Sequence, residues 1–321
     1  MSAVDMHRPS PLPLLDTASE HAARRLRDDR TLVRLRPRIF AEQKAWQRLQ
    51  PWERYLARVH AAALALPGAV FSHESAAALR GLPLFGEPRD IHVFDASRTQ
   101  SRRFGDVAVH TSQDDRHVVE SAGVATVSPS ETVIDLARVL PPAFALAVMD
   151  AAISHRADHG IALATLEEVA HRQANRRGTV RVEWALQHAD ARAESAGESV
   201  SRAVILWCGF EAPELQRTFH HEGVEDRADF YWPRLRAIGE SDGFGKYAAS
   251  TADESIRRVM AEKLREDRLR RHEDAFARWT WRETMHWPTL RSIVLRVGVP
   301  VVRTPQPSML ATLRRNPRSL G

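Results

Sequence analysis

"RADFYWPRLRAIGESD" (Arg227–Asp242) is the stretch that decides how the second half of this chain folds. Its first six residues end in three aromatics and read as a strand. Pro233 and Arg234 make a turn, and "RAIGESD" returns as the next strand. The run predicts a tight antiparallel hairpin. Glu240 and Asp242 stand two apart near the end of its second strand, so they share one face of the sheet. Asp229 comes level with Ile238 to Glu240 across the hairpin, and Glu198, at the start of the preceding helix, can reach the same place.

Carboxylates gathered in this way repel each other, and a divalent cation relieves the repulsion. An oxygen-only ligand set favours magnesium or manganese over zinc. The expectation is a Mg2+ (or Mn2+) site with Asp229, Glu240 and Asp242 as ligands and Glu198 in support. Such a cation polarises a phosphodiester and lowers the pKa of a bound water. Lys246 follows the glycine turn and can stabilise charge on the reacting phosphate or orient the water.

Outward from the hairpin, residues 198 to 207 suit a helix ended by Gly209. "ELQRTF" (214–219) reads as a strand and "HHEGVEDR" (220–227) as a turn. Residues 254 to 271 form a strongly charged helix, and "AFARWTW" (275–281) returns as a strand. In that helix Ile256, Val259, Met260, Leu264 and Leu269 recur at helical spacing and are expected to be buried. His220 and His221 are adjacent near a hairpin tip and read as solvated rather than as a ligand pair.

This order resembles the PD-(D/E)xK nuclease superfamily, and most closely its very-short-patch-repair (Vsr)-like branch. The match rests on "GESVSR" (197–202), "PELQ" (213–216), "RADFYWP" (227–233), "GESDGFGKY" (239–247), "EKLREDRL" (262–269) and "RWTW" (278–281), in the family's order. The resemblance implies an αβββαβ restriction-endonuclease-like domain. It places Glu198, Asp229, Glu240 and Asp242 at the family's acidic metal site. It places Gln216 in the first strand, and Lys263 and Arg265 on the charged helix after the site, as residues facing DNA. The superfamily's lysine normally stands two residues after the second acid, where this chain has Asp242. Lys246 either takes over that function or is a surface residue.

The front half reads differently. Val33 and Leu35 lie on one face of an extended "TLVRLRPRIF" (31–40), and Arg34, Arg36 and Arg38 on the other, as in the wing of a DNA-binding winged helix. Trp52, Tyr55, Leu56, Val59 and Ala63 make an apolar helical stripe after Pro51. In "TVSPSETVIDLARVL" Ser128 is a cap, Pro129 follows at the first helical position and Glu131 completes a capping box. His73 and Glu74 read as structural, and Asp135 and Asp150 as surface or hydrogen-bonded acids. "TLVRLRPRIF", "FSHESAAALRGLPL" (71–84) and "TVSPSETVIDLAR" (126–138) resemble the AbiEi antitoxins of type IV toxin–antitoxin systems. That resemblance implies operator binding and a cognate nucleotidyltransferase toxin as partner.

The expected fold is α/β of the α+β kind. A mostly helical front region has a small sheet and a partial winged helix, and the nuclease-like domain follows. The expected segments are 1–15 as a flexible tail, 16–190 as the antitoxin-like region, 191–297 as the nuclease-like domain and 298–321 as a flexible basic tail. No apolar run approaches the roughly 20 residues of a membrane span. The N-terminus lacks a signal-peptide core, and the one cysteine, Cys208, excludes an internal disulfide and a cysteine zinc cluster. These features lead to the expectation of a cytoplasmic protein without a membrane partner. The formal net charge is +5, and clustered arginine at 24–38, 256–271 and 291–318 suits phosphate contact.

Three functions compete. One is a magnesium-dependent DNA endonuclease. The second is an antitoxin-like transcriptional regulator with a non-catalytic nuclease-like domain. The third is an interaction module without DNA.

Overall fold

The β-strand β1 (Leu15–Asp16) pairs antiparallel with β3 (Ile39–Glu42), which pairs antiparallel with β2 (Leu32–Arg36). Alternation in β2 holds: Val33 and Leu35 pack on a small core of Leu12, Ala41 and Ala57. These details come from a computed structural model that describes residues 7–17, 26, 29–155, 160–242, 252–314 and 316–320, without the side chains of 252–255, 258 and 259. Lys246 and most of the helix expected at 17–29 therefore lie outside the described residues. Leu12 is buried and Arg8 N–H donates to the Leu79 carbonyl, so the described part of 1–15 is anchored rather than a loose tail.

Two compact units make up the chain. The first comprises Met1–Leu140, His155–His188 and Asn316–Gly321. After β3 come α1 (Gln43–Arg48) and α2 (Pro51–Ala65), which opens on proline. In the α2 stripe Tyr55 and Val59 are buried, whereas Trp52 is exposed. A mixed six-stranded sheet follows, ordered β7-β8-β6-β4-β10-β9. Its strands are β4 (Val70–Phe71), β6 (Ile91–Phe94), β7 (Arg102–Phe104), β8 (Val107–His110), β9 (Val118–Ser121) and β10 (Val124–Val127). Helix α3 (His73–Arg80) stops at Gly81, whose positive φ suits a left-handed cap. Helix α4 (Pro129–Val139) starts at the Ser128 cap, but Glu131 accepts from Ser128 Oγ and His117 N–H, so the expected box is only half closed. Asp135 is buried and accepts two hydrogen bonds from Arg116. Helices α6 (Leu163–Arg172) and α7 (Thr179–His188) complete this unit, with β15 (Ser319–Leu320) pairing on β5 (Glu87–Pro88).

Pro141–Ser154 and Ala189–Arg315 form the second unit. It begins with α5 (Pro142–Ile153), a helix that the sequence reading assigned to the front region. The physical reason is that α5 is apolar on nearly every side and packs on α8 (Ala196–Trp207), where its Asp150 is paired to Arg202 at 2.7 Å. The sheet runs β11 (Glu214–His221), β12 (Val224–Trp232), β13 (Ala237–Asp242), β14 (Ala275–Thr280). Its first three strands are antiparallel, and β14 is parallel to β13 after the crossover helix α9 (Ala252–His272). The αβββαβ order expected from the sequence is the one observed. The β11–β12 turn is shorter than expected: only Glu222 and Gly223, both at positive φ, separate the strands. Helices α10 (Trp281–Met285), α11 (Trp287–Arg296) and α12 (Pro307–Ala311) follow β14.

The described residues of the basic end pack on the fold, contrary to the expected flexible tail. Val302 and Arg303 N–H both donate to the Gly209 carbonyl, and Leu310 and Leu313 are buried. Gly209 has φ +83°, and a Cβ there would lie 2.1 Å from the Arg303 carbonyl oxygen, so close approach requires glycine. Apolar residues spaced among the arginines supply the burial that a disordered tail lacks. The described residues form an α+β fold, and none of their helices is long and apolar enough to cross a membrane.

Candidate functional site

Side chains alternate along β13, and its two faces meet different helices. Gly239 and Ser241 face α8: Gly239 lies against Trp279, and Ser241 Oγ is 3.4 Å from Ser201 Oγ. Ile238 and Glu240 face α9, where Ile238 joins a core with Leu269, Phe219 and Tyr231. Glu240 takes two hydrogen bonds from Arg265, at 3.2 and 2.8 Å. Arg265 also holds Glu262 at 2.7 Å and the Arg227 carbonyl at 2.6 Å. Asp242 pairs with Arg278 at 3.3 Å, and Arg278 in turn binds Glu262 and Glu266.

Asp229 stands where the β12–β13 pairing stops. The ladder ends at Phe230 opposite Gly239, and beyond it Asp229 Oδ2 accepts from the Ser241 backbone N–H at 2.9 Å. Gln216 faces it from β11, in a left-handed backbone conformation at φ +54°. Its Nε2 donates to Glu198 Oε2 at 2.7 Å and to Asp229 Oδ1 at 3.3 Å. Glu198 also accepts from Glu194 N–H, and its own N–H donates to the Ser195 cap of α8. Thus Glu198, Gln216, Asp229 and Ser241 form one connected chain of contacts.

Burial pushes the Glu198 carboxyl up to about 7, with the Asp229 charge adding to the effect. Burial also raises Glu240 to about 7, again helped by Asp229 and opposed by Arg265. Burial thus opposes ionisation of both carboxyls, the Asp229 charge adds to that at each, and Arg265 counters it at Glu240. Their oxygen-only chemistry fits a hard divalent cation. Yet among the described residues no three His, Cys, Asp or Glu side chains are placed to hold a metal ion. The expected convergence of Glu198, Asp229, Glu240 and Asp242 is not formed, because Arg265 draws Glu240 toward α9 and Arg278 takes Asp242.

The residues expected to touch DNA are differently employed. Gln216 bridges two acids. Arg265 neutralises Glu240. Arg36 is bound to Asp106 at 2.5 Å, Arg34 donates to the Arg36 carbonyl and Arg38 lies 3.5 Å from Asp16. Lys263 is exposed and has no such partner among the described residues. His221 is not simply solvated: it stacks on His272 with centroids 4.2 Å apart, while His220 is exposed beside Glu225. Sequence reasoning missed the Glu240–Arg265 pair. The i,i+3 spacing of Glu262 and Arg265 signalled an ion pair within the helix but not its partner on β13. The Gln216–Asp229 contact was readable from the antiparallel register, once the β11–β12 turn was known to be two residues long.

With this geometry in view, comparison with known proteins adds little chemistry. No family model and no solved structure matches the chain. It is similar to an uncharacterized protein of Mycobacterium tuberculosis strain CDC 1551 / Oshkosh, 35% identical over 159 residues, or 49% of this chain and 57% of the relative. An uncharacterized protein of Mycobacterium tuberculosis strain H37Rv matches with the same identity and coverage. The chain thus spans little more than half the length of these curated relatives.

Proposed function

We propose that the second unit is a divalent-cation-dependent nuclease that hydrolyses phosphodiesters in DNA. The observation that carries this reading is the pair of buried carboxyls, Glu198 and Glu240, on either side of Asp229 and both pushed up to about 7. A cluster that resists full ionisation alone gains most from a cation. Its motifs, which resemble those of Vsr-like PD-(D/E)xK nucleases, support the same conclusion. Asp229 and Glu240 would hold Mg2+ or Mn2+, with Glu198 and Asp242 supporting. When bound, the cation supplies electrophilic polarisation of the phosphate and a more acidic water. Gln216 keeps Glu198 and Asp229 in place, and the Ser241 N–H orients Asp229. Arg265 must leave Glu240 for that carboxylate to bind a cation.

The Arg265–Glu240 pair favours a second reading. In it the arginine is the permanent counterion, and the unit binds DNA without cutting it, as in the antitoxin-like regulator that the front-half motifs suggest. A nucleotidyltransferase toxin would then be the partner.

The experiment is plasmid nicking by the purified chain with Mg2+ or Mn2+, beside Asp229→Ala. The expected result is metal-dependent cleavage that falls by at least about 100-fold in the variant. Cleavage equal in both proteins, or none in either, removes the nuclease reading; the second outcome leaves the binding-only one.

A further inference from the structure

We infer that the turn between α6 and α7 is a phosphate-binding corner for duplex DNA, placed so that the start of α7 meets the major groove. This deepens the DNA reading above and rests on it, but uses residues of the other unit. From Val169 to Val182 the sequence carries Arg172, Arg176, Arg177 and Arg181 and no carboxylate. Both helices pack on α4, and residues 173–178 join them as a helix–turn–helix.

The turn is held rigid from beneath. Gly178 sits at φ +72°, and a Cβ there would lie 2.3 Å from the Arg138 carbonyl oxygen. The Arg138 guanidinium donates to Gln173 Oε1 at 2.9 Å and to the Arg177 carbonyl at 3.1 Å. Asp114 Oδ1 accepts from Ala174 N–H at 2.8 Å. Gln173 is buried, and beyond it the turn presents the side chains of 174–177 outward. Arg176 and Arg177 are exposed, and neither guanidinium makes a hydrogen bond or ion pair among the described residues. Arg172 is more than half exposed and only 3.8 Å from its partner Glu131. Arg181 reaches just the carbonyls that end α4. Val180, in the first turn of α7, is 78% exposed, an apolar tip of the kind that meets a thymine methyl.

Two features favour duplex DNA over other polyanions. No Phe, Tyr or Trp lies within 169–182, where His171 is the one ring, whereas single-strand binders stack successive bases on several such rings. A helix start flanked by arginines fits the wide major groove of B-DNA but not the narrow one of A-form RNA. The corner also supplies what Arg36 and Arg38 do not, because those are paired to Asp106 and Asp16.

The test measures binding of the full chain to a labelled duplex of about 20 base pairs across a salt series, without divalent metal, so that cleavage does not intervene. The proteins are wild type, Arg176→Gln/Arg177→Gln and Arg176→Lys/Arg177→Lys. For the glutamine pair the log–log salt slope should fall by about two units, and affinity at about 100 mM salt should fall roughly 10- to 100-fold. The lysine pair should keep most of both, and all three should melt alike. Unlabelled single strand should compete poorly. A glutamine pair that binds as the wild type does overturns the corner and leaves the nuclease reading standing. Equal loss in the lysine pair, or equal competition by single strand, also overturns it. A wild type without duplex affinity at low salt overturns the corner and the DNA reading together.

Discussion

Glu74 is 3% exposed, and both Arg318 Nε and Nη2 donate to its carboxylate, the latter at 2.7 Å. His92 lies beside them, with Nε2 3.3 Å from Glu74, and its Nδ1 is 2.9 Å from His110 Nε2. His73 stacks on His110 at 4.0 Å. This expected structural role for His73 and Glu74 is thus part of a larger buried network. Burial lowers His92 to about 4 and His110 to about 3, so both rings are neutral in the folded protein at pH 7. Burial opposes ionisation of Glu74, but His92 and Arg318 outweigh it and bring it to about 2. All three groups have folded values below their unfolded ones. Their contribution to stability is therefore full above about pH 6.5 and is lost as pH falls toward the folded values. Arg318→Ala leaves a buried carboxylate unpaired and should cost about 3–5 kcal/mol. Denaturant unfolding at pH 7 and pH 5 checks both points: the variant should unfold earlier, and the wild type should lose stability at the lower pH. An unchanged variant would show that Glu74 does not depend on Arg318, with His92 beside it as the remaining partner.

Helix α9 shows how an element can defeat its own sequence pattern. Its apolar repeat predicts burial, and Leu269 is buried, but Ile256, Met260 and Leu264 are 57%, 61% and 62% exposed. The side chain of Val259 lies outside the described residues. The helix docks instead by ions: Arg265 on Glu240, and Arg268 on Asp226 at 2.6 and 2.7 Å. Hydrophobic periodicity does not register a face whose contacts are ion pairs. Strand β13 is the opposite case, because alternation alone places Glu240 and Gly239 on opposite faces. A Cβ on Gly239 would come 2.5 Å from Trp279 Cη2 and 3.2 Å from Trp232 Cζ3. Both indoles are pinned, Trp279 by Ser201 Oγ and Trp232 by the Glu211 carbonyl, each at 2.9 Å. Gly239→Ala should therefore destabilise by about 1–3 kcal/mol, read as a lower unfolding midpoint. A wild-type midpoint would mean that the indoles shift freely.

Across the whole molecule, the hairpin, the αβββαβ order and the start near residue 189 of the longer of the second unit's two segments were legible, because they follow from local alternation, turns and caps. What was not legible depends on contacts distant in sequence. The chain enters the second unit at Pro141, returns at His155, leaves again at Ala189 and comes back at Asn316. No local signal marks α5 as a partner of α8, or Arg318 as the partner of Glu74. The candidate site was legible as a set of acids. Its counterion was not, since Arg265 looked like one more charge on a charged helix. Whether that arginine yields to a cation separates a nuclease from a binding module. Calorimetric titration of the intact protein with Mn2+, beside Asp229→Ala, tests this directly. The account predicts saturable binding of Mn2+ to the wild type that is lost in the variant. Failure of the wild type to bind, or equal binding by the variant, would contradict it.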